Sequence, residues 1–298
     1  MSVFKRAVLT PMLSAALLLT ACNADIEKAV HSAPSSAADL YYGQIPPGLT
    51  PEPFPSDFYT SDDWQLTQPF ATGKDEFYFT TRGSTPFGPV VIVFRKEGRV
   101  WKQYDFYTFS SGDKTRLYSK HNYIEWTDTG WSKIKSLGED FENIPIMRLS
   151  ASAQGTFILD EGAKEGVMRY SRLVDGVREA PKPLNESINA GIWNGHPFIS
   201  PDGSYMIWDS EREDGYGDSD LYISFRQQDN SWGNAINMGD PINTAAVENA
   251  IRITSDGKYL SFGRATPVVQ ADGSTSWEGG RYWVSAQVIE NLRTQHQP

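Results

Sequence analysis

Asp160, Asp209 and Glu248, with His196, are the residues of this chain that acid–base chemistry would draw on. Hydrolysis of a glycosidic bond needs two carboxylates flanking it, one as acid and one as base or nucleophile. The three carboxylates stand in separate segments, so convergence of two of them on one pocket would favour that chemistry and scatter would remove it. His196 has no partner identifiable from spacing. The other histidines, His31, His121 and His296, are far from it and from one another, with no metal-ligand interval between them. There is no Gly-x-Ser-x-Gly elbow for a serine nucleophile, and no Gly-rich phosphate loop between a strand and a helix. No catalytic residue and no cofactor are assigned.

Two further groups suit binding. The segment Glu211 to Asp220 holds five carboxylates in ten residues, and Asp214, Asp218 and Asp220 are candidate oxygen ligands for Ca²⁺. Their spacing is not that of a calcium loop, and the preferred reading is a turn in which Asp220 accepts hydrogen bonds from backbone amides. Trp193, Tyr216 and Trp277 fall in expected loops beside Asp214, Asp218, Asp272 and Glu278. Aromatic planes among carboxylates suit a sugar or a peptide. Most of the nine tryptophans are expected in the core, and Trp193 and Trp277 are the ones read as ligand contacts.

These residues need elements to position them. From Ile45 onward, β-branched and aromatic residues alternate with polar ones in short runs broken by Gly, Asp, Asn and Pro, so the folded part is all-β. The runs repeat. His196 to Trp208 reads as two strands around the turn Pro201-Asp202-Gly203, followed by strands at Asp220–Phe225 and Ile236–Thr244; call these a, b, c and d. The grammar returns around Gly257, 54 residues after Gly203. Weaker copies begin at Phe70, Phe106 and Leu149. That makes five a–b–c units with four d strands following their own unit. The missing one has a candidate in Thr50 to Thr60, which resembles Ala180 to Asn189. The expected fold is a five-bladed β-propeller, with six blades as the alternative, closed by this N-terminal strand pairing into the last blade. In that fold the start of strand a aligns His196 with Thr67, Phe106, Arg148 and Ala250, so Arg148, His196 and Glu248 join Trp193, Tyr216 and Trp277 as candidate ligand contacts near one rim.

The Ser200-Pro201-Asp202-Gly203 hairpin, Ser210-Glu211-Arg212, the Gly215/Gly217 loop, Asp220-Leu221-Tyr222 and Ser231-Trp232 resemble the Pro-Asp repeats of TolB-type periplasmic propellers. That resemblance implies the fold and leaves function to the site, because propellers host unrelated activities. At the N-terminus, Lys5 and Arg6 precede an apolar stretch from Ala7 to Leu19 that is shorter than the roughly 20 residues a membrane span needs. Leu19-Thr20-Ala21-Cys22 then resembles the lipobox of bacterial lipoproteins. The resemblance implies a signal peptide over 1–21, lipid on Cys22, a tether over 22–44 and a propeller over 45–298. With Asn23 next, it implies an outer-membrane lipoprotein facing the periplasm. The net charge of −10 becomes −12 when Lys5 and Arg6 leave with the signal peptide. That charge argues against nucleic acid and against an electrostatic grip on anionic lipid. The expected partners are the membrane, through the lipid, and an envelope protein or glycan.

Overall fold

The Pro201-Asp202-Gly203 turn forms as its residue types dictate. Asp202 accepts from the Ser200 hydroxyl at 2.6 Å and from the Ser204 amide at 3.0 Å, and Gly203 takes φ +70°, a conformation costly for any residue with a Cβ. Thr254, Asp256 and Gly257 repeat it, with Thr254 Oγ1 donating to Asp256 at 2.7 Å and Gly257 at φ +75°. In the earlier copy Ser152 accepts the Thr156 amide at 3.1 Å and Gly155 has φ +80°.

The computed structural model describes residues 45–54, 70–73, 76–80, 90–98, 100–107, 115–163, 166–254 and 256–296. Cys22, the signal peptide and the tether lie outside them, as does Thr67. The chain runs through β1 (Glu52–Pro53), β2 (Phe70–Gly73), β3 (Glu76–Thr80), β4 (Val90–Glu97), β5 (Val100–Tyr107), β6 (Arg116–Ser119), β7 (Asn122–Thr127), β8 (Gly130–Trp131) and β9 (Lys135–Ser136). The short helix α1 (Glu139–Glu142) leads to β10 (Ile146–Ala151), β11 (Phe157–Glu161), β12 (Arg169–Ser171), the small hairpin β13 (Leu173–Val174) and β14 (Val177–Arg178), and β15 (Lys182–Pro183). Then come β16 (Trp193–Ile199), β17 (Tyr205–Glu211), β18 (Asp220–Phe225), β19 (Ile236–Asn237), β20 (Val247–Ile253), β21 (Tyr259–Val269), β22 (Thr275–Ser285) and the helix α2 (Gln287–His296).

Three four-stranded antiparallel sheets follow the a-to-d order: β10-β11-β12-β15, β16-β17-β18-β19, and β20-β21-β22 completed by β1. In the last, Glu52 and Pro53 pair with Trp283 and Tyr282. β1 takes the position that β15 and β19 take in their sheets. The residue after each short strand donates its amide inward: Phe54 to Arg281 O at 2.7 Å, Leu184 to Met168 O at 2.9 Å, Met238 to Leu221 O at 3.0 Å. All three side chains are buried.

The first two expected units are joined. β2 to β7 form one continuous meander, extended by β8 and β9. β5 pairs with β4 over its whole length from Val100 to Tyr107, and Tyr107 then pairs with Tyr118 of β6. The strand d expected to follow the first unit and the strand a expected from Phe106 are therefore one strand, with no Gly or Pro in it to break it. Two other expectations change. The segment around Asp272, Trp277 and Glu278, expected as a loop, is the outer half of the β21–β22 hairpin, and after it comes a helix, α2, whose Val288 and Ile289 are buried against the last two sheets.

The core lies between successive sheets. Ile158, Met168, Leu184 and Ile188 of one meet Ile199, Met206, Trp208 and Tyr222 of the next. Phe198, Ile207, Leu221 and Ile223 then meet Ile251, Leu260, Phe262 and Val284. At roughly 1.5–3 kcal/mol per fully buried large side chain, these layers hold the sheets face to face. Asparagines fasten the connections. Asn189 accepts the Met168 amide at 2.7 Å and donates to Met168 O at 3.2 Å; Asn243, 54 residues later, does the same to Leu221 at 2.8 and 2.9 Å.

Candidate functional site

In these sheets the d–a and b–c connections lie at one end of the strands, and the a–b and c–d turns at the other. Strands β10, β16 and β20 each carry a register shift near their start: between Ile146 and Leu149, between Gly195 and Phe198, and between Asn249 and Arg252. The extra residues push backbone amides out of the ladder. His196 and Ala250, at the same place in successive sheets, adopt φ +50° and +52°.

Buried carboxylates collect those amides. Asp160, near the end of β11, accepts from the Arg148 amide of its own sheet at 2.6 Å and from the His196 amide of the next at 2.7 Å. Asp209, at the matching place in β17, accepts from the Ala250 amide of the following sheet at 3.1 Å. It also takes Nδ1 of His196 at 2.8 Å and Nε1 of Trp193 at 3.2 Å. Each carboxylate thus joins a strand b to the strand a of the next sheet. In β21 the matching residue is Gly263, which brings no carboxylate, and the side-chain oxygen of Asn249 lies 2.6 Å from where its Cβ would be.

Asp160 and Asp209 both converge on His196, and both are essentially inaccessible, at 0% and 1% exposure. Burial raises the Asp160 pKa, opposed by the Arg148 and His196 amides it accepts. Arg148 is pushed down to about 10 by burial and by Arg252, with Asp209 and Asp160 acting the other way. Glu248 stands apart. Its oxygens accept the Thr244 amide at 3.0 Å, the Thr244 hydroxyl at 2.7 Å and Nε of Arg264 at 2.7 Å, with no exposed surface. Burial raises its pKa against those bonds.

Chemically, the cluster orients one imidazole. The His196 side chain is 23% exposed. Nδ1 faces Asp209, and among the described residues no hydroxyl or thiol is hydrogen-bonded to Nε2. A nucleophile on the pattern of a catalytic triad would need that bond. A two-carboxylate hydrolysis would need carboxyl oxygens open to substrate, and those of Asp160 and Asp209 are engaged by N–H groups.

The acidic segment is a turn around Asp220, which accepts from the Tyr216 amide at 2.6 Å, the Gly217 amide at 3.2 Å and the Asn237 side chain at 2.9 Å. Asp214 and Asp218 are exposed, and no group of three or more metal-ligating side chains occurs among the described residues. The turn is pressed against the connection before β20. A Cβ on Gly217 would lie 2.2 Å from Ala246 O and 2.5 Å from Thr244 O.

Trp193 and Trp277 sit in strands, not in the expected loops. Trp193 opens β16, half-buried, with its ring packed over Gly195, where a Cβ would meet indole Nε1 at 2.8 Å. Trp277 lies in β22 opposite Pro267 and is 58% exposed; Tyr216 is 52% exposed and Val269 74%. Pairing of Pro267 with Trp277 and Val269 with Thr275 puts Pro267, Val269 and Trp277 on one face of the hairpin, with Thr266, Val268, Ser276 and Glu278 on the other. Tyr216 and this hairpin lie at the same end of the strands as Arg148, Trp193 and His196.

The Asp209–His196 bond was not readable from spacing, because it depends on the register shift before Phe198. The asparagine latches had a signal in their 54-residue spacing, the same as that of Gly203 and Gly257.

No family model matches the chain, and no curated protein matches its sequence. Among solved structures it is similar to the tricorn protease, with TM-score 0.33 and 9% identity over 74% of this chain and 30% of that one. It is similar also to a puromycin hydrolase S511A mutant, with TM-score 0.35 and 13% identity over 78% of this chain and 42% of that one. A third is the alpha-L-arabinofuranosidase from Lactobacillus brevis, with TM-score 0.31 and 9% identity over 71% of this chain and 93% of that one. At that level of likeness, fold and site rest on this chain's own residues.

Proposed function

We propose that this chain is a lipid-anchored envelope protein that binds a protein or glycan partner through the b–c and d–a end of a five-bladed β-propeller. In this reading the β2–β9 meander supplies two joined blades, the three four-stranded sheets supply the others, and β1 closes the ring as the outer strand of the last. Cys22 carries the anchor at the outer membrane, with the propeller in the periplasm.

One observation carries the binding reading: the outer half of the β21–β22 hairpin bears Pro267, Val269 and Trp277 on a single face, with Val269 and Trp277 largely exposed. Aromatic and aliphatic side chains on a protruding ribbon are a partner-facing arrangement. The saturation of Asp160 and Asp209 by amide, indole and imidazole donors argues for binding over hydrolysis.

The test is site-specific photocrosslinking in cells from position 277, compared with position 126, which is exposed at the opposite end of the strands. A discrete adduct from 277 that is lost with Val269→Asp and missing from 126 is expected. Equal capture from both positions would refute a binding face at this end.

A further inference from the structure

At the c–d end of the strands, between the β10–β15 and β16–β19 sheets, lies a cavity of about 410 Å³ lined by Tyr170, Arg172, Asn185, Arg226, Asp229 and Trp232, among others. That volume falls within the range, roughly 300–1,000 Å³, of small-molecule sites.

Its charges are unequally met. Arg172 is held by Glu179, with Nε at 2.8 Å and Nη2 at 3.4 Å from the two carboxylate oxygens. Asp229 is turned onto its own loop, accepting from the Ser231 amide at 2.9 Å and hydroxyl at 2.6 Å. Asn185 donates to Trp232 O at 3.0 Å and accepts the Ile188 amide at 3.0 Å. Among the described residues Arg226 has no such partner. Its Nε is buried without a hydrogen bond, and its guanidinium lies 6.0 Å from the Trp232 ring centroid. Burial and the nearby Arg172 lower its pKa. A buried donor left unmade costs about 1–3 kcal/mol, more when it is charged, so a structural arginine would ordinarily be paired.

We propose that this cavity is a binding site for a small carboxylate-bearing ligand, the carboxylate held end-on by the two terminal nitrogens of the Arg226 guanidinium and the body of the ligand lying against Trp232 and Tyr170. A planar five-donor fork matches a carboxylate in a way an ammonium does not. Two aromatic side chains beside it supply the apolar surface that fixes orientation. The site is at the other end of the strands from the hairpin face and is independent of what that face binds.

The test is indole ¹⁵N–¹H NMR of the full chain titrated with sodium glucuronate and, separately, with N-acetylphenylalanine. Glucose and N-acetylphenylalanine amide serve as uncharged counterparts. A saturable shift of the Trp232 indole is expected with one or both acids, weakened about tenfold or more by removing the ligand's charge or by Arg226→Gln. A response to glucuronate alone identifies a sugar acid, a response to N-acetylphenylalanine alone a peptide terminus, and a response to both a general carboxylate pocket. Arg226→Gln should not lower the thermal midpoint, since it removes no hydrogen bond and relieves a buried donor that has none. If it fails to fold, Arg226→Lys keeps the charge without the fork and should weaken binding. No saturable shift with either acid, or unchanged affinity in the arginine variants, would overturn the site. Val269→Asp should leave the Trp232 response intact, which separates this result from that of the hairpin face.

Discussion

Phe54 allows a quantitative check on how the last sheet is completed. Its ring is 7% exposed and packs edge-on against Trp283 at 5.2 Å between centroids, while its amide donates to Arg281 O at 2.7 Å. Leu184 and Met238 fill the same position in the two preceding sheets, at 6% and 4% exposure. If β1 is a true outer strand, truncating Phe54 should cost what large-to-small core changes cost, about 3–5 kcal/mol, and Leu184→Ala or Met238→Ala about 2–5 kcal/mol. For a domain of this size each kcal/mol moves the midpoint by about 2–4 °C, so Phe54→Ala should lower it by roughly 6–20 °C. The assay is thermal unfolding by circular dichroism on the three variants, with Ile45→Ala as a control because Ile45 is 61% exposed. The three should fall together and the control should stay with the parent. A Phe54→Ala midpoint grouped with Ile45→Ala, while Leu184→Ala and Met238→Ala drop, would refute the equivalence of β1 with β15 and β19.

Asn243→Ala should destabilise by about 1–3 kcal/mol through the Leu221 N–H it strands, the Leu221 carbonyl keeping the Met238 amide, and Asn189→Ala comparably at the Met168 N–H, measured by urea unfolding. Gly217→Ala forces a Cβ into backbone oxygens 2.2 and 2.5 Å away and should cost about 1–3 kcal/mol or more, whereas Gly257→Ala meets no atom within 4 Å and should pay only for its positive φ. Burial holds the Asp160 pKa above its usual 3.8, so its contribution is complete below that value and is lost as pH rises through the folded-state pKa. Asp160→Asn should therefore flatten the stability profile on the alkaline side of pH 3.8, and an unchanged slope would contradict the sign. Glu179 behaves oppositely, lowered to about 2 by Arg172 and Lys182; Glu179→Gln should remove a loss of stability that otherwise appears as pH falls from about 4.5 toward 2.

Local chemistry was the legible part of this chain. Pro201-Asp202-Gly203 and Asp256-Gly257 announce hairpins because carboxylate and glycine can do only a few things in a row. The likeness of Thr50–Thr60 to Ala180–Asn189 pointed to the partner of β22. Where strands lack the usual pattern, reading failed. Residues 265–279 bury no side chain on either face, so there is no apolar alternation to read, and Pro267, Asp272 and Gly273 resemble loop chemistry although the ladder continues to Val269 and Thr275. β5 reads as the end of one unit and the start of the next because its middle is polar, and only the ladder with β4 shows it unbroken. The candidate site was half legible. Alignment of the repeats placed Arg148 and His196, and an expected loop placed Trp193, at one end of the strands, but the carboxylates that hold them depend on register shifts, and a one-residue slip exchanges the faces of a strand.

The position of β1 has a mechanical consequence. A pull applied from the N-terminal side of residue 45 loads the Gly48 to Phe54 stretch before any other described element. That stretch is fastened by Ser285 N to Gly48 O at 2.9 Å, the two-residue ladder with β22, and Phe54 N to Arg281 O at 2.7 Å. The asparagine latches, the interleaved cores and the carboxylate joints all lie behind that short zip. Under such a pull that stretch is the first of the described elements to part from β22, so the last sheet carries a sacrificial link where the load enters.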